Sequence, residues 1–345
     1  MDRRDFTKHI SKGLLATTIT PLISATAPMS KPLIKPKALK KGDTIGLICP
    51  AGPVSDERIE KAVTNIEKLG YKVKYSEAIK GRYGYLAGMD QERLADLHRQ
   101  FSDPQVNGVW AIRGGYGCAR LLPYIDYALI RKNPKVLLGY SDITALHNAI
   151  HQKTGLVTFH GPVGASTMTD YNVMHLEAVV SNGLSPHRIY PCEANVAKQD
   201  PVFSVEIFKA GVATGALVGG NLSLLSSMVG TPFQVDYKGK LLFIEDVGEK
   251  PYRIDRMLTQ LMQSSNLHQA QGIVLGIFDD CQPKDEQYSL SLRDTLHERL
   301  SGLGIPVIYG VSFGHIQNMC TLPIGVQARL DTDKQTVTLL EKGVS

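Results

Sequence analysis

Through the first half of the chain, short apolar runs that stop at glycine or proline alternate with stretches of helical spacing. Residues 44–49 read as a buried strand ending at the turn Pro50-Ala51-Gly52-Pro53. Ser55 can cap a helix that places Ile59, Ala62, Val63 and Ile66 at helical spacing. Residues 71–75 alternate like a second strand. Residues 91–101 are helical, with Leu94, Leu97 and Phe101 on one face, and 109–112 and 136–139 are further strands. Strands alternating with helices imply a parallel, doubly wound sheet. The pattern changes near residue 165. Residues 166–208 are mixed and polar and read as a connection. Beyond them, strand candidates at 215–218, 240–244, 272–278, 306–309 and 336–340 surround one helix candidate at 252–262. The expected class is α/β, with an N-terminal domain over 38–165 and a C-terminal domain over 209–345.

Composition narrows the function. The chain has 345 residues, 43% hydrophobic and 21% charged, enough for one large domain or two ordinary ones and too apolar for disorder. Its formal charge is +5. Arg3, Arg4, Lys8 and Lys12 against Asp2 and Asp5 give the first 27 residues +2, so a chain without them carries +5 less +2, or +3. So weak and scattered a positive charge argues against a nucleic-acid partner. Of the five cysteines, Cys49, Cys118, Cys192, Cys281 and Cys320, none are paired at CxxC spacing, which argues against a metal site or a disulfide framework. Residues 1–27 read as an export address. Arg3-Arg4-Asp5-Phe6-Thr7-Lys8 matches the twin-arginine pattern, a weakly apolar stretch follows, and Ala25-Thr26-Ala27 is an A-x-A cleavage signal. The expected location is outside the cytoplasm, in the periplasm. No later run reaches the roughly 18 apolar residues of a membrane helix.

The richest local signal is Arg113-Gly114-Gly115-Tyr116-Gly117-Cys118-Ala119-Arg120, between a buried strand and a helical start. Glycines there permit a sharp turn, and a helix N-terminus offers unsatisfied amides. A cysteine in that position is expected to have a lowered pKa and more thiolate. The same loop also fits a phosphate cradle or an inert buried thiol. A second strand end, Gly139-Tyr140-Ser141-Asp142-Ile143, lacks the second glycine of a nucleophile elbow, and Ser141 and Asp142 read there as a helix cap.

A cysteine nucleophile needs a base and a group to orient it. Among ten histidines, His315 stands out in Ser312-Phe313-Gly314-His315, a loop position beside glycine after a strand. Glu245 ends an apolar strand, a costly place for an unpartnered charge. Glu245 and Asp246 point to opposite faces, and which one meets a cleft is open.

Taken together, these segments resemble the LD-carboxypeptidase family, which includes the microcin C7 immunity peptidases. The resemblance runs from about Gly42 to Leu330. It rests on Pro50-Ala51-Gly52-Pro53, Tyr85-Leu86-Ala87-Gly88, residues 113–122, Gly139-Tyr140-Ser141-Asp142-Ile143-Thr144, Gly219-Gly220-Asn221-Leu222, residues 243–248, residues 251–256, residues 276–281, Gly314-His315 and residues 321–325. It implies an N-terminal domain like that of class I glutamine amidotransferases and a β-rich, swivelling C-terminal domain. It implies a Ser-Glu-His triad that maps onto Cys118, Glu245 and His315, with cysteine in the serine's place. The implied reaction is hydrolysis of the L,D-peptide bond of murein tetrapeptides with release of D-alanine. The implied partners are a murein peptide and a second copy in a homodimer, with no metal or cofactor. The amides of Ala119 and Gly88 are the expected oxyanion donors. Arg113 is a candidate for the substrate's terminal carboxylate or a structural ion pair, and Asn221 a candidate polar contact. The rival readings are a microcin-immunity type of amidase and a non-catalytic murein-binding protein.

Overall fold

In the computed structural model, residues 32–284 and 288–345 are described, and the leader segment read at 1–27 lies outside them. The first sheet is built from β1 (Thr44–Ile48), β2 (Lys72–Lys74), β3 (Gly108–Ala111), β4 (Val136–Gly139) and β5 (Thr158–His160). These five run parallel in the order β5-β4-β3-β1-β2. The reversal of strand order falls between β1 and β3, the place where doubly wound sheets open a crevice at their carboxyl ends. Four of the five residues of β1 and all four of β3 and β4 are buried, as strands covered on both faces require. Ser55 caps the helix Asp56–Lys68 by accepting from the Arg58 amide, and that helix buries Ile59, Ala62 and Ile66.

The second sheet has eight strands. They are β6 (His187–Ile189), β7 (Glu206–Lys209), β8 (Val212–Asn221), β9 (Lys240–Val247), β10 (Gly272–Asp279), β11 (Val307–Gly314), β13 (Gln327–Asp331) and β14 (Thr336–Leu339). Strands β8, β9, β10 and β11 form a parallel centre, and antiparallel strands flank it on both sides. The helices Pro251–Ser264 and Leu292–Leu300 make the crossovers between parallel strands.

Two expectations change. The stretch 166–208 is more than a connection. It carries the helix Asp170–Val180 and two strands of the second sheet, β6 on β14 and β7 on β11. Its short strands fall below the length at which alternation is legible. Conversely β12 (Leu322–Ile324), late in the sequence, leaves the second half and pairs antiparallel with β5 on the edge of the first sheet. Residues 32–345 form one compact unit.

Candidate active site

Strand β9 is apolar up to Ile244 and then buries two consecutive carboxylates. Alternation sends them to opposite sides. Glu245, fully buried, accepts from His315 Nδ1 through Oε2 at 2.7 Å. Asp246 turns away and accepts from Asn221 Nδ2 at 2.9 Å, the Val247 amide at 2.8 Å, and the Ser223 amide and hydroxyl at 2.9 and 2.8 Å. The member of the pair that meets the histidine is Glu245.

His315 directly follows β11, which runs five residues beyond the expected 306–309 segment to Gly314. Gly314 has φ +120, and a Cβ there would fall 2.7 Å from the Ile277 carbonyl and 3.3 Å from Glu245 Oε2. Only glycine lets the chain turn this close to the carboxylate. Burial alone disfavours the imidazolium, but the charge and hydrogen bond of Glu245, with Asp246 and Asp279 nearby, raise the His315 pKa above its ordinary value. Burial likewise pushes the Glu245 carboxyl up, and the charge and hydrogen bond of His315 outweigh it, so the net shift is downward. The two stabilise each other as an ion pair. Asp246 has no such partner. Burial and the neighbouring Glu245 charge push it to about 6 despite its four donors.

Cys118, the residue expected to meet this pair, has surroundings unlike those of a reactive thiol. Cys118 is fully buried. Burial and the charge of Asp142 push its thiol well above the ordinary value, against a weaker opposing effect of Arg93. That reverses the expected thiolate enrichment. The helix Cys118–Leu121 is only four residues long, and the Cys118 amide donates to Asp142 Oδ2 at 2.8 Å. Among the described residues no hydrogen bond or ion pair joins Cys118 to His315 or Glu245.

Ser141 has the opposite profile. It is half-exposed and sits between β4 and the helix Thr144–Thr154 with φ +64, a left-handed conformation rare for a residue with a side chain. Such a residue costs about 1–3 kcal/mol and marks a site where geometry is imposed. Ser141 makes no capping bond, which corrects the helix-cap reading. The turn's tightness comes from the motif's first glycine, Gly139, and from Gly114, which lies outside the motif. A Cβ at Gly139 would meet Ile143 at 3.0 Å, and one at Gly114 would meet Ser141 Cβ at 2.8 Å and Oγ at 3.0 Å. Tyr140, directly before the serine, packs its ring edge-on against His315, centroids 4.8 Å apart.

The remaining candidates serve the scaffold. Arg113 forms no ion pair among the described residues and donates to the Pro53 carbonyl at 2.9 Å. Gly88 and Cys118 gather around Arg93 rather than around the Glu245–His315 pair. This buried guanidinium donates to the carbonyls of Gly88 at 3.2 Å, Gly117 at 3.1 Å and Pro50, and to Asp90 at 2.5 Å. Ala119 lies in that same short helix. Asn221 is buried, caps the helix Leu222–Ser227 and holds Asp246, so it is a positioning residue rather than a free polar contact. His160, fully buried beside Tyr140 and Phe243, was not singled out by sequence reasoning. Burial lowers its pKa to about 4, and it stays neutral. No cluster of metal-ligating side chains occurs among the described residues.

A buried Glu–His pair packed against the tyrosine that precedes a serine on a strained strand-to-helix turn is an arrangement suited to an acyl-transfer hydrolase. Family comparison agrees with that class. Residues 45–161 match the LD-carboxypeptidase N-terminal domain and residues 214–330 the LD-carboxypeptidase C-terminal domain. A Bacillus subtilis (strain 168) protein named "Probable murein peptide carboxypeptidase" is 45% identical over 90% of this chain and 95% of its own. The murein tetrapeptide carboxypeptidase of Pseudomonas aeruginosa is 34% identical over 84% of this chain and 94% of its own. Among solved structures, an active-site mutant of microcin C7 self immunity protein MccF, with a serine, an asparagine and a lysine replaced, superposes with a TM-score of 0.79. It is 25% identical and covers 90% of this chain and 100% of its own. The chain belongs to the LD-carboxypeptidase family.

Proposed function

We propose that this protein is a carboxypeptidase that removes the C-terminal D-residue from murein tetrapeptides through an acyl-enzyme on Ser141. The observation that carries the reading is the 2.7 Å Glu245–His315 hydrogen bond packed against Tyr140, whose next residue, Ser141, is held at φ +64. The names of the Bacillus and Pseudomonas relatives support the substrate. The serine replaced in the MccF active-site mutant supports a hydroxyl nucleophile.

In the proposed mechanism Glu245 fixes Nδ1 as the protonated nitrogen, leaving His315 Nε2 as base. Nε2 takes the Ser141 proton as Oγ attacks the carbonyl before the terminal residue. The oxyanion needs two donors. The Asp142 amide, next after the serine, is one. The Gly115 amide is the other, because a trans peptide aims it away from the Gly114 carbonyl, which accepts from the Gly52 amide at 3.3 Å. Collapse of the intermediate breaks the C–N bond, and the His315 imidazolium protonates the leaving amine. Water, deprotonated by His315, then hydrolyses the ester.

We also propose that residues 1–27 direct export, on the strength of Arg3-Arg4 and the apolar stretch that follows. A reporter that must fold before export, fused to residues 1–35, should leave the cytoplasm and should be retained when Arg3 and Arg4 are both lysine.

Mass spectrometry of murein tetrapeptide incubated with the protein tests the function. Release of D-alanine is the expected result. Turnover of an aminoacyl-nucleotide conjugate alone would transfer the site to the microcin-immunity activity, and binding without turnover would remove the catalytic role.

A further inference from the structure

A carboxypeptidase differs from an endopeptidase by one contact: something must bind the free carboxylate of the residue that leaves. Arg113 is committed to the Pro53 carbonyl. The geometry of proton transfer fixes the side on which that contact must lie. His315 protonates the leaving amine, so the leaving residue lies on the His315 side of Ser141. In an L,D-dipeptide unit the terminal carboxylate carbon lies only about 4 Å from the scissile carbon.

Tyr140 stands on that side, its ring against His315. Beyond it opens a cavity of about 380 Å³, lined among others by Tyr140, Arg58, Lys61, Glu57, Val163 and Ala165. Arg58 and Lys61 project from successive turns at the start of the helix Asp56–Lys68, whose N-terminal end itself favours an anion. Neither side chain has an ion-pair or hydrogen-bond partner among the described residues, whereas Arg93, Arg120, Arg253, Arg293 and Arg299 each hold a carboxylate. Glu57 is the one acidic group in the lining, so the pocket is left with a surplus positive charge. The Tyr140 hydroxyl also has no partner there and supplies a neutral donor. Val163 and Ala165 form an apolar wall suited to a methyl side chain.

We infer that Arg58, assisted by Lys61 and the Tyr140 hydroxyl, binds the terminal carboxylate of the leaving residue and so makes the site an exopeptidase. This assignment rests on the carboxypeptidase reading above. A guanidinium grips a carboxylate with two parallel hydrogen bonds, which an amide cannot reproduce. Arg58 is therefore a specificity-determining residue.

The test compares two peptides, a murein tetrapeptide with a free terminal carboxylate and the same peptide as its C-terminal carboxamide. Wild-type protein should strongly prefer the free acid. Arg58→Ala combined with Lys61→Ala should lower kcat/KM on the free acid about 100-fold and on the amide less than about threefold, abolishing the preference. Arg58→Lys should restore part of it. Both residues are exposed, so the fold should survive the change. If wild-type protein cleaves and the double variant keeps its preference for the acid, or loses both substrates equally, the carboxylate assignment is wrong and the function stands. If wild-type protein releases no amino acid from either peptide, the function falls and the assignment with it.

Discussion

At Glu245, burial and charge pull in opposite directions, and the histidine decides the outcome. The carboxylate stays ionised at zero exposure because an imidazole at 2.7 Å compensates it. The same coupling raises the His315 pKa. A general base works only when neutral, so kcat/KM should rise with pH through a value above the ordinary histidine figure of about 6.5. Glu245→Gln removes the largest raising influence and leaves burial, which lowers the pKa, opposed only by the weaker charges of Asp246 and Asp279. The acidic limb should move to lower pH while kcat falls about 10²–10⁴-fold. An unmoved limb in that variant would detach Glu245 from the base. The nucleophile is tested by a pair of substitutions. Ser141→Ala should cost about 10⁴–10⁶ in kcat. Cys118→Ala should keep activity within about tenfold and cost on the order of 1 kcal/mol of stability, read from denaturant midpoints. Iodoacetamide should leave the native enzyme active, because the thiol is buried and its pKa raised. The reverse pattern would return the role to Cys118.

Between elements, the site is set by glycines that let backbones close on one another. Gly114 lacks a positive φ, so an alanine there fits its backbone, and any damage comes from the 2.8 Å approach to Ser141 Cβ. Gly114→Ala should therefore lower kcat about 100-fold with little loss of stability, checked by kinetics and thermal unfolding side by side. A full loss of fold would mean the glycine serves packing rather than the serine. These contacts also explain what could be read from the sequence. Glu245 and His315 were legible because a carboxylate ending an apolar strand and a histidine after glycine violate local rules for which function compensates. The alternating elements of the first sheet were legible for the opposite reason, since every local rule agreed. The sequence hides Ser141 because the elbow's second glycine is missing at residue 143. The room it would provide comes from Gly139 and Gly114, one of them distant in sequence. The sequence favours Cys118 because a residue at a helix N-terminus looks free, and nothing local shows that the Asp142 carboxylate already occupies its amide.

On the scale of the molecule, Ser141 follows a strand of the first sheet, whereas Glu245 lies in the second and His315 follows one of its strands, so the proposed mechanism requires the sheets to hold a fixed relation. Strand β12 provides one fastening, carrying residues of the C-terminal half onto β5. Unfolding should accordingly be a single event. Trp110, the only tryptophan, lies in β3 and donates to the Pro162 carbonyl at 2.7 Å, so its fluorescence reports on the first sheet. Far-ultraviolet circular dichroism reports on both sheets. The two denaturation curves should coincide. A tryptophan transition separated from the dichroism transition would show two independently stable domains.

That same strand sets a schedule for biosynthesis. Chains emerge from the ribosome N-terminus first, and sheets assembled from neighbouring segments can close as they appear. Here the edge beside β5 waits for residues 322–324, which are made only after β6 to β11. Until then β5 presents unpaired backbone groups, a template for mispairing. The first sheet of the nascent chain is thus held incomplete until β12 emerges, long after Ser141 and after both Glu245 and His315 have been made.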